Sequence, residues 1–455
     1  PFGSFKNRSF LAPVASSFVH LSLHHLTLRY NITPTPIRSG ESLVSQARKS
    51  SSKFRMFVAL RHREFRKYFY SMLWQSSGYA MQFLIVGWLV LELTDSGSQL
   101  GFVIFLYGIP NLALMPLAGI AADRMDRRQF LIISQAAVTF TLVALATLTM
   151  MEQIAMWHVY VAVTMLGAIQ GFVMPASMAI VPDLVERDDI LNANSLNSAV
   201  FNGTRILAPF VAGVIVEMVG IGEALFVNAA CFGLGTIHIW SLRNVPSYDS
   251  ATETNVLGNL LEGLKFTVKT PAVFGIVGMG FAFGFFGAAY LQILPAFAKD
   301  VLGLDAVGAG LLLSASGAGS LVGNLALAAL GNSRHKYWLL LGTIIIFGVS
   351  LLALAWSTWR PVSLVLMFFV GMGFAGFISV MTTVLQLTTP PAMRGRIMSM
   401  MLISASLHYL GALPLSIVAE LYSWPISLTA GSLLMLSVVV WLGVLNPSIR
   451  RMHVE

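Results

Sequence analysis

The sequence predicts an all-α membrane protein with twelve transmembrane helices in two six-helix pseudo-repeat bundles. Apolar residues make up 56% of the 455 residues and charged residues only 11%, whereas soluble domains carry about 25% charged residues. A mean hydropathy of +0.76 leaves little room for a soluble domain. Apolar stretches of about twenty residues, the length that a bilayer core requires of a helix, recur along the whole chain.

Turn and charge signals divide these stretches into spans. The first six are expected over residues 67–93, 99–122, 129–150, 155–180, 195–219 and 222–242. The second six are expected over residues 272–298, 306–331, 335–356, 361–386, 396–421 and 424–446. Most boundaries carry a signal, in chain order Asp95-Ser96-Gly97, Asp123-Arg124, Pro182-Asp183, Gly220, Arg360-Pro361, Pro390-Pro391 and Trp424-Pro425. Glycine, proline and adjacent charges end helices, so each signal separates two spans.

Lysine and arginine are concentrated on one side of the predicted membrane. Alternate loops and the flanking segments hold Arg61, Arg63, Arg66, Lys67, Arg124, Arg127, Arg128, Arg187, Arg243, Lys265, Lys269, Arg334, Lys336, Arg394, Arg396, Arg450 and Arg451. The opposite loops hold only Lys299 and Arg360. The positive-inside rule therefore predicts that the first side, with both termini, is cytoplasmic. This asymmetry accounts for the net charge of +8 without a nucleic-acid partner.

The spans and their charges suggest a domain organisation. Residues 1–55 are rich in Ser and Arg with one acid, Glu41, and are expected to be disordered. They are interpreted either as an acid-poor targeting peptide or as sequence translated ahead of the native start. The remaining parts are an N-terminal bundle (56–242), a linker (243–271), a C-terminal bundle (272–446) and a cytoplasmic tail (447–455). Apolar residues at helical spacing in the linker predict a helix on the membrane surface; a plain linker turn is an equal interpretation of its N-terminal part.

A dense cluster of charge lies between the second and third spans, from Gly119 to Arg128. Glycine permits two helices to approach closely, and Asp123 and the arginines can pair across the ends of neighbouring helices. Such a cluster is suited to act as a latch that holds one of two bundle arrangements. The alternative interpretation is a plain topogenic cluster, which only orients the chain in the membrane.

The spacing Gly119-x-x-x-Asp123-Arg124-x-x-Arg127-Arg128 resembles the loop motif that follows the second span in the major facilitator superfamily. Residues 88–94, 170–176, 191–197 and 394–399 resemble that superfamily's branch of multidrug and siderophore exporters, the transmembrane secretion effectors. The resemblance covers residues 60–445. It implies the major facilitator fold, a bacterial inner-membrane location, and a gating role for Arg394 and Arg396 before the eleventh span.

The fifth span contains small residues around Pro209, from Gly203 to Gly213. Small side chains allow tight packing and a proline allows a bend, both of which suit gating at an interface between bundles. The stretch resembles the antiporter motif of superfamily exporters, with Ala208 and Ala212 where glycine is usual. That resemblance favours export over import; ordinary small-residue helix packing is the alternative.

Charged residues inside the spans are scarce. Arg205 is the only basic residue expected well inside a span, where a charge is costly and indicates function by default. It is expected to line the cavity, to attract an anionic substrate group or to pair with the charged loop; a structural bond to backbone carbonyls is the alternative. Many related proton-coupled exporters carry an arginine at the position of Gly167, so Asp123 lacks one partner that the resemblance implies.

The remaining site predictions concern polar residues. No carboxylate is expected at mid-membrane, and Glu92 is the candidate for proton coupling if it is buried; otherwise it caps a helix at the interface. Gln82, Asn111, Asn202 and Gln292, with Arg205, are the expected substrate-cavity residues, although each amide could equally hold two helices together. The abundant Phe and Met residues are typical of a hydrophobic, adaptable cavity. The alternative is that they simply face lipid.

The leading expectation is a secondary transporter that exports small drug-like or siderophore-like amphipathic molecules by alternating access. The resemblance implies proton antiport and a monomer in the lipid bilayer whose partners are the small-molecule substrate and protons. No cofactor, metal or nucleic acid is expected. An uptake permease and a lipid or lysolipid transporter of the same superfamily are the alternatives.

Other functional classes are disfavoured. A membrane-embedded enzyme needs clustered catalytic groups, and the acids Asp183, Asp188 and Asp189 have neither His nor Cys beside them. The chain contains no Walker loop and no repeated selectivity filter, which argues against ATP as the energy source and against a channel. The single cysteine, Cys231, excludes a disulfide framework and a cysteine metal cluster.

Overall fold

The computed structural model describes residues 55–124, 126–243, 256–331 and 335–444. The described part contains helices and no strands, and twelve of its helical spans are long and apolar enough to cross a membrane. The predicted fold class and number of spans are confirmed, and the predicted boundaries agree to within a few residues. The expectations for residues 1–54 and for the tail over 447–455 lie outside the described residues.

The helices are numbered in chain order. The first half contains α1 (Arg63–Thr94), α2 (Gly97–Arg124), α3 (Arg127–Met150), α4 (Met156–Ile180), α5 (Ile190–Met218) and α6 (Ile221–Trp240). The linker contains α7 (Val256–Lys269). The second half contains α8 (Pro271–Ala282), α9 (Tyr290–Asp300), α10 (Ala306–Leu330), α11 (Lys336–Ala355), α12 (Arg360–Thr388), α13 (Arg394–Ser406), α14 (His408–Leu421) and α15 (Trp424–Val439). We call the membrane side at which α1 begins the basic face, and the side at which α1 ends the opposite face.

Local sequence signals fix several helix ends. The Asp126 carboxylate accepts hydrogen bonds from the backbone N–H groups of Arg128 and Gln129 and so caps the start of α3. Asp305 caps α10 in the same way through Gly308 N, at 2.8 Å. Asp95 ends α1 in a left-handed conformation, with φ of 48°. These caps lie in the loops where the sequence places turn signals.

Two spans are interrupted, although the sequence predicts each as one continuous helix. The seventh span, Pro271–Asp300, passes from α8 to α9 through a π-helical turn at Phe283–Ala288. The eleventh span, Pro391–Leu421, is divided between α13 and α14 at Leu407. The two breaks face each other, because a Cβ on Gly284 would collide with the Ser404 carbonyl. A π turn inserts an extra residue into one helical turn and thereby redirects the following side chains.

Each half packs mainly within itself. In the first half α2 packs on α4, α3 on α6, and α1 on α5 and α6. In the second half α12 packs on α10 and α11, and α15 packs on α11. Phe283, Phe347 and Phe377 form the centre of the second half, with the Phe283 ring centroid 4.9 Å from Phe347 and 4.6 Å from Phe377. The halves meet mainly along α2 with α14, α5 with α10, and α1 with α9.

The linker contains the surface helix that its apolar spacing predicts. Its apolar residues Leu261, Leu264 and Val268 are exposed, as expected of a helix that lies on a membrane surface. Glu262 pairs with Arg396 at 2.8 Å and thus ties α7 to α13 of the second half.

Candidate functional site

A small pocket lies between the two halves, among residues of α1, α2, α4 and α9. Two of the predicted cavity residues, Gln82 of α1 and Gln292 of α9, meet in it. Its full lining is Gln82, Phe83, Val86, Gly87, Leu100, Val103, Ile104, Tyr107, Val163 and Gln292. Gln82 is 3% exposed, and its Oε1 has no hydrogen-bond partner among the described residues. A buried amide oxygen without a partner costs free energy, so Gln82 is available to a ligand.

Three aromatic rings border the pocket on its basic-face side. Phe83 of α1 and Tyr107 of α2 lie edge to face, with centroids 5.4 Å apart. Tyr409 of α14 contacts both rings, at 6.0 Å from Phe83 and 5.0 Å from Tyr107. Aromatic pairs at these distances stabilise one another beyond the area that they bury. The cluster therefore joins the two halves behind the pocket.

Arg205 lies in the middle of α5, as the sequence predicts. Its guanidinium carbon is 5.7 Å from the ring centroid of Phe201, on its own helix, and 5.5 Å from that of Phe374 on α12. Tyr290 and Tyr409 lie within electrostatic range of the guanidinium. Since Tyr409 also borders the pocket, Arg205 belongs to the same central region as Gln82 and Gln292.

The other predicted polar residues lie elsewhere. Asn111 is buried one helical turn from Tyr107 towards the basic face and is not part of the pocket lining. The Asn202 amide donates to Ser198 O on its own helix, at 2.8 Å. Glu92 is exposed near the end of α1, so the burial on which its predicted coupling role depends is not met. The exposed position of Glu92 agrees instead with the alternative interpretation, an interfacial residue.

At the opposite face, an ion pair joins the two halves. Lys299 Nζ of α9 lies 2.6 Å from Asp95 Oδ1 and also donates to Leu91 O at 3.3 Å. The hydrogen bond from Lys299, and then its charge, lower the pKa of Asp95. The pair therefore contributes to this arrangement above the lowered pKa and is lost as the pH falls through it. Lys299 is one of the two basic residues that depart from the predicted charge rule. Its contact with Asp95 is a structural reason for a basic residue at this position.

A second set of contacts strengthens the same closure. The Glu420 carboxylate of α14 accepts hydrogen bonds from Ser98 N at 2.9 Å and from Ser96 Oγ at 2.8 Å, at the start of α2. A carboxylate at a helix N-terminus satisfies free N–H groups and favours the helix dipole. The Trp424 ring covers Gly97, where an added Cβ would lie 2.6 Å from the ring. We call Asp95, Lys299, Glu420 and Trp424 with their partners the opposite-face seal.

Helices α2 and α14 approach each other closely, with side chains of α14 packed directly on glycines of α2. A Cβ on Gly101 would collide with the Ser416 hydroxyl, and one on Gly108 would collide with Tyr409. Glycines at such spacings are the usual means of close helix approach in membranes. The contact between α2 and α14 therefore continues from the opposite-face seal to the aromatic cluster.

The predicted small-residue stretch of α5 forms the contact with α10. A Cβ on Gly213 would collide with Ala306 O, and one on Gly310 would lie 2.5 Å from Pro209 O. A Cβ on Gly317 would lie 2.7 Å from Arg205 O. We call this contact the glycine seam. Pro209 and Gly213 thus lie at the interface between the halves, and their gating role stays a prediction.

At the basic face, the charged loop ties helices of the first half together. Arg127 Nη1 lies 2.9 Å from Asp183 Oδ2, just after α4. Arg128 donates to Trp240 O at 2.6 Å, at the end of α6. The backbone of α2 is helical to Arg124, and the side chains of Gly119, Asp123 and Arg124 lie outside the described residues. Pairing across neighbouring helices, as expected from the sequence, is present for Arg127 and Arg128.

The corresponding arginines of the second half are placed differently. Arg394 Nε donates to Thr389 O at 3.2 Å, which closes the turn between α12 and α13. Arg396 pairs with Glu262 of the linker helix. Both arginines lie at the basic-face end of the eleventh span, and their part in gating stays a prediction.

Exchange of the two partners tests the Arg127–Asp183 pair. Both side chains are partly buried, at 22% and 11% exposure, so removal of one charge by Arg127→Gln or Asp183→Asn should cost about 1 kcal/mol of stability. Arg127→Asp combined with Asp183→Arg should recover most of that loss. The measurement is apparent Tm in detergent with Arg187→Gln as the control, since Arg187 is exposed. A double variant no better than the single variants would contradict a direct pairing.

Sequence reasoning missed the opposite-face seal and Phe374. The signal for the seal was available in two forms. Lys299 is a basic residue on the side where few are expected, and Gly97, Gly101 and Gly108 place small residues along α2. No sequence signal distinguishes Phe374 from the other phenylalanines of the second half, because its role depends on which ring Arg205 meets.

The sequence matches known proteins over most of its length. A family model described as transmembrane secretion effector matches residues 55–453. The multidrug efflux pump Tap of Mycolicibacterium fortuitum is 27% identical over 392 residues, which cover 82% of this chain and 94% of that protein. The enterobactin exporter EntS of Escherichia coli is 25% identical over 315 residues, which cover 67% of this chain and 73% of that protein.

Solved structures of transporters share the fold. The nucleoside transporter NupG superposes with a TM-score of 0.68 at 16% identity, covering 83% of this chain and 98% of NupG. A bacterial homolog of the human lysosomal transporter Spinster, in an inward-facing and unoccupied conformation, gives a TM-score of 0.61 at 15% identity. That match covers 88% of this chain and 97% of the other. At these identities the likeness concerns the fold alone.

Proposed function

We propose that this chain, which belongs to the transmembrane secretion effector family of major facilitator transporters, exports small amphipathic molecules through the cytoplasmic membrane in exchange for protons. It is a multi-pass membrane protein and a transporter, not an enzyme. Two of its relatives are a multidrug efflux pump and an enterobactin exporter. Their names support drug-like or siderophore-like cargo for this chain too.

The opposite-face seal is the observation that carries the proposal. It joins the two halves by an ion pair, a capped helix start and a tryptophan, and the pocket lies directly behind it. A transporter that alternates its access must close one face of such a cavity while the other is open. Since the seal consists of a few side-chain contacts at the edge of two separately packed halves, it can break without unfolding either half.

We infer the direction of transport from the exporters among the relatives, since an alternating-access cycle passes through this arrangement in either direction. If the basic face is cytoplasmic, as the positive-inside rule predicts, the seal lies on the outer side and the described conformation receives substrate from the cytoplasm. Phe201, on the basic-face side of Arg205, is 51% exposed, which is consistent with access from that direction. The degenerate antiporter motif in α5 supports export as well.

Proton coupling rests on the family and not on a central carboxylate. No described acid lies at mid-membrane, and Glu92 is exposed. In this proposal Asp123 and the arginines of the charged loop gate the basic face, and the coupling residue is left to experiment.

Dye transport in inverted membrane vesicles tests the proposed function. We expect an amphipathic fluorescent dye to accumulate when a proton gradient is imposed and to stop accumulating when an uncoupler collapses it. Asp123→Asn should slow the accumulation if the charged loop gates the cycle. Dye accumulation that continues after the uncoupler is added would contradict proton antiport. If none of a range of dyes is transported, broad export is contradicted.

A further inference from the structure

Arg205 differs from every other charged side chain that the structure describes within the spans. It lies fifteen residues from the start of α5 (Ile190–Met218), whereas the other described charges of the spans lie near helix ends. Its guanidinium forms no ion pair and no hydrogen bond with a described residue. The alternative role considered from the sequence, a bond to backbone carbonyls, is therefore not what the described residues provide.

An unpaired guanidinium at this depth is costly. Intramembrane charges normally pair with an acid or with backbone oxygens, whereas the partly exposed Arg205 forms neither contact with a described residue. Here the neighbours are the rings of Phe201 and Phe374, whose faces attract a cation only weakly. All five N–H donors of the guanidinium are available for an acceptor that the described residues do not supply.

The groups around Arg205 favour one sign of ligand charge. Tyr290, Tyr409 and His408 lie within electrostatic range, and none is an acid that would neutralise the guanidinium at neutral pH. No described carboxylate lines the pocket of Gln82 and Gln292. The electrostatic potential of the central region is therefore positive, and it attracts anions while it repels cations.

The shape of the surroundings adds a second requirement. Phe83 and Tyr107 line the pocket, and Tyr409 contacts both rings and lies within electrostatic range of Arg205. A flat apolar or aromatic body packs against such rings, and a carboxylate, sulfonate or phosphate group accepts two parallel hydrogen bonds from a guanidinium. The ligand that satisfies both features carries one acidic group on a ring-containing apolar body.

We propose that Arg205 is the recognition group of the substrate cavity, and that the cargo is an amphipathic organic anion whose acidic group binds the guanidinium. The proposal rests on the proposed export function and specifies its substrate class. Phe374 belongs to the second half and Arg205 to the first, so an anion that draws Arg205 away from Phe374 also removes a contact between the halves. Binding of the substrate is thereby coupled to their relative movement.

A matched pair of dyes tests this inference. Fluorescein, whose free carboxylate supplies the acidic group, is an anion at neutral pH, and the methyl ester of unsubstituted rhodamine, which has no free carboxylate, is a cation on the same xanthene core. Vesicles that contain the native chain, Arg205→Gln, Arg205→Lys or the control Arg187→Gln are compared for transport of both. We expect Arg205→Gln to lower anion transport about tenfold or more, because hydrogen bonds to charged groups contribute that much to binding. The cation should be unaffected, Arg205→Lys should recover part of the anion transport, and Arg187→Gln should leave both dyes unchanged.

Binding to the purified protein in detergent separates this inference from the proposed function. Fluorescence anisotropy should show that the native chain binds fluorescein and that Arg205→Gln binds it about tenfold more weakly. If both dyes are transported and Arg205→Gln slows them equally, export stands and anion recognition is overturned. If neither dye is transported but anion binding depends on Arg205, recognition stands and the export proposal falls. If the native chain binds the two dyes equally well, the inference is wrong.

Discussion

A covalent link across the opposite-face seal is expected to stop transport. Asp95→Cys and Lys299→Cys, introduced together with Cys231→Ala, place two thiols at positions whose native Oδ1 and Nζ atoms are 2.6 Å apart. Cysteine is shorter than lysine, so the thiols lie farther apart than those atoms and need a linker. A short bifunctional methanethiosulfonate should bridge them. Because the seal must open to release substrate in an alternating-access cycle, the transport rate should fall in proportion to the bridged fraction and approach zero. Reduction of the bridge should restore it.

The second half offers a matched control for this experiment. Trp356 Nε1 donates to Thr429 Oγ1 at 3.0 Å, and both residues belong to the second half. A bridge between Trp356→Cys and Thr429→Cys should leave transport unchanged, since it joins residues that move together. A monofunctional reagent on the Asp95–Lys299 pair controls for loss of the charges. Full transport by the bridged Asp95–Lys299 variant would show that this face does not open during the cycle.

Gly167→Ala is expected to destabilise the first half. A Cβ at this position of α4 would collide with the backbone carbonyl of Tyr107 on α2. A side-chain end could rotate away, but a backbone carbonyl in a packed helix cannot, so the two helices must separate. Overpacking of this kind costs about 1–3 kcal/mol, and Gly167→Arg should cost more. The expected readout is a large loss of monodisperse protein and a lower apparent Tm in detergent.

Gly203→Ala is the control, because a Cβ there would meet nothing within 4 Å. Alanine is the better helix former by about 1 kcal/mol, so this variant should be as stable as the native chain or slightly more stable. Equal tolerance of alanine at both positions would refute the close contact between α2 and α4. The same contact explains why this chain lacks the arginine that many related exporters carry at the position of Gly167.

The fold could be predicted from the sequence because its main determinants are local. Length, hydropathy and turn signals define each span, while the orientation that the charges of the loops predict stays a prediction. The breaks at Phe283–Ala288 and at Leu407 could not be predicted in this way. They arise where the seventh and eleventh spans cross at Gly284 and Ser404, and a crossing between distant segments leaves no periodic signal in either of them.

The site was predicted only in part, for a related reason. The depth of a polar residue in a span can be estimated from sequence. Gln82 and Gln292 do line one pocket and Arg205 lies in the middle of α5, while their role in a substrate cavity stays a prediction. The direction in which a side chain points depends on helix rotation and on its neighbours. Asn202 therefore turns back to Ser198, and Glu92 is exposed, although both lie at plausible depths.

The glycine seam between α5 and α10 separates two requirements that a transporter must meet. Its contacts are made by backbone atoms of Gly213, Gly310 and Gly317, so they depend hardly at all on side-chain identity elsewhere. The residues proposed to meet a substrate, such as Gln82 and Arg205, lie beside the seam or on other helices. Substitutions in the cavity can therefore alter which substrate is carried and leave the glycine seam intact. A lineage of such proteins is free to change its cargo by single replacements without having to evolve a new transport cycle.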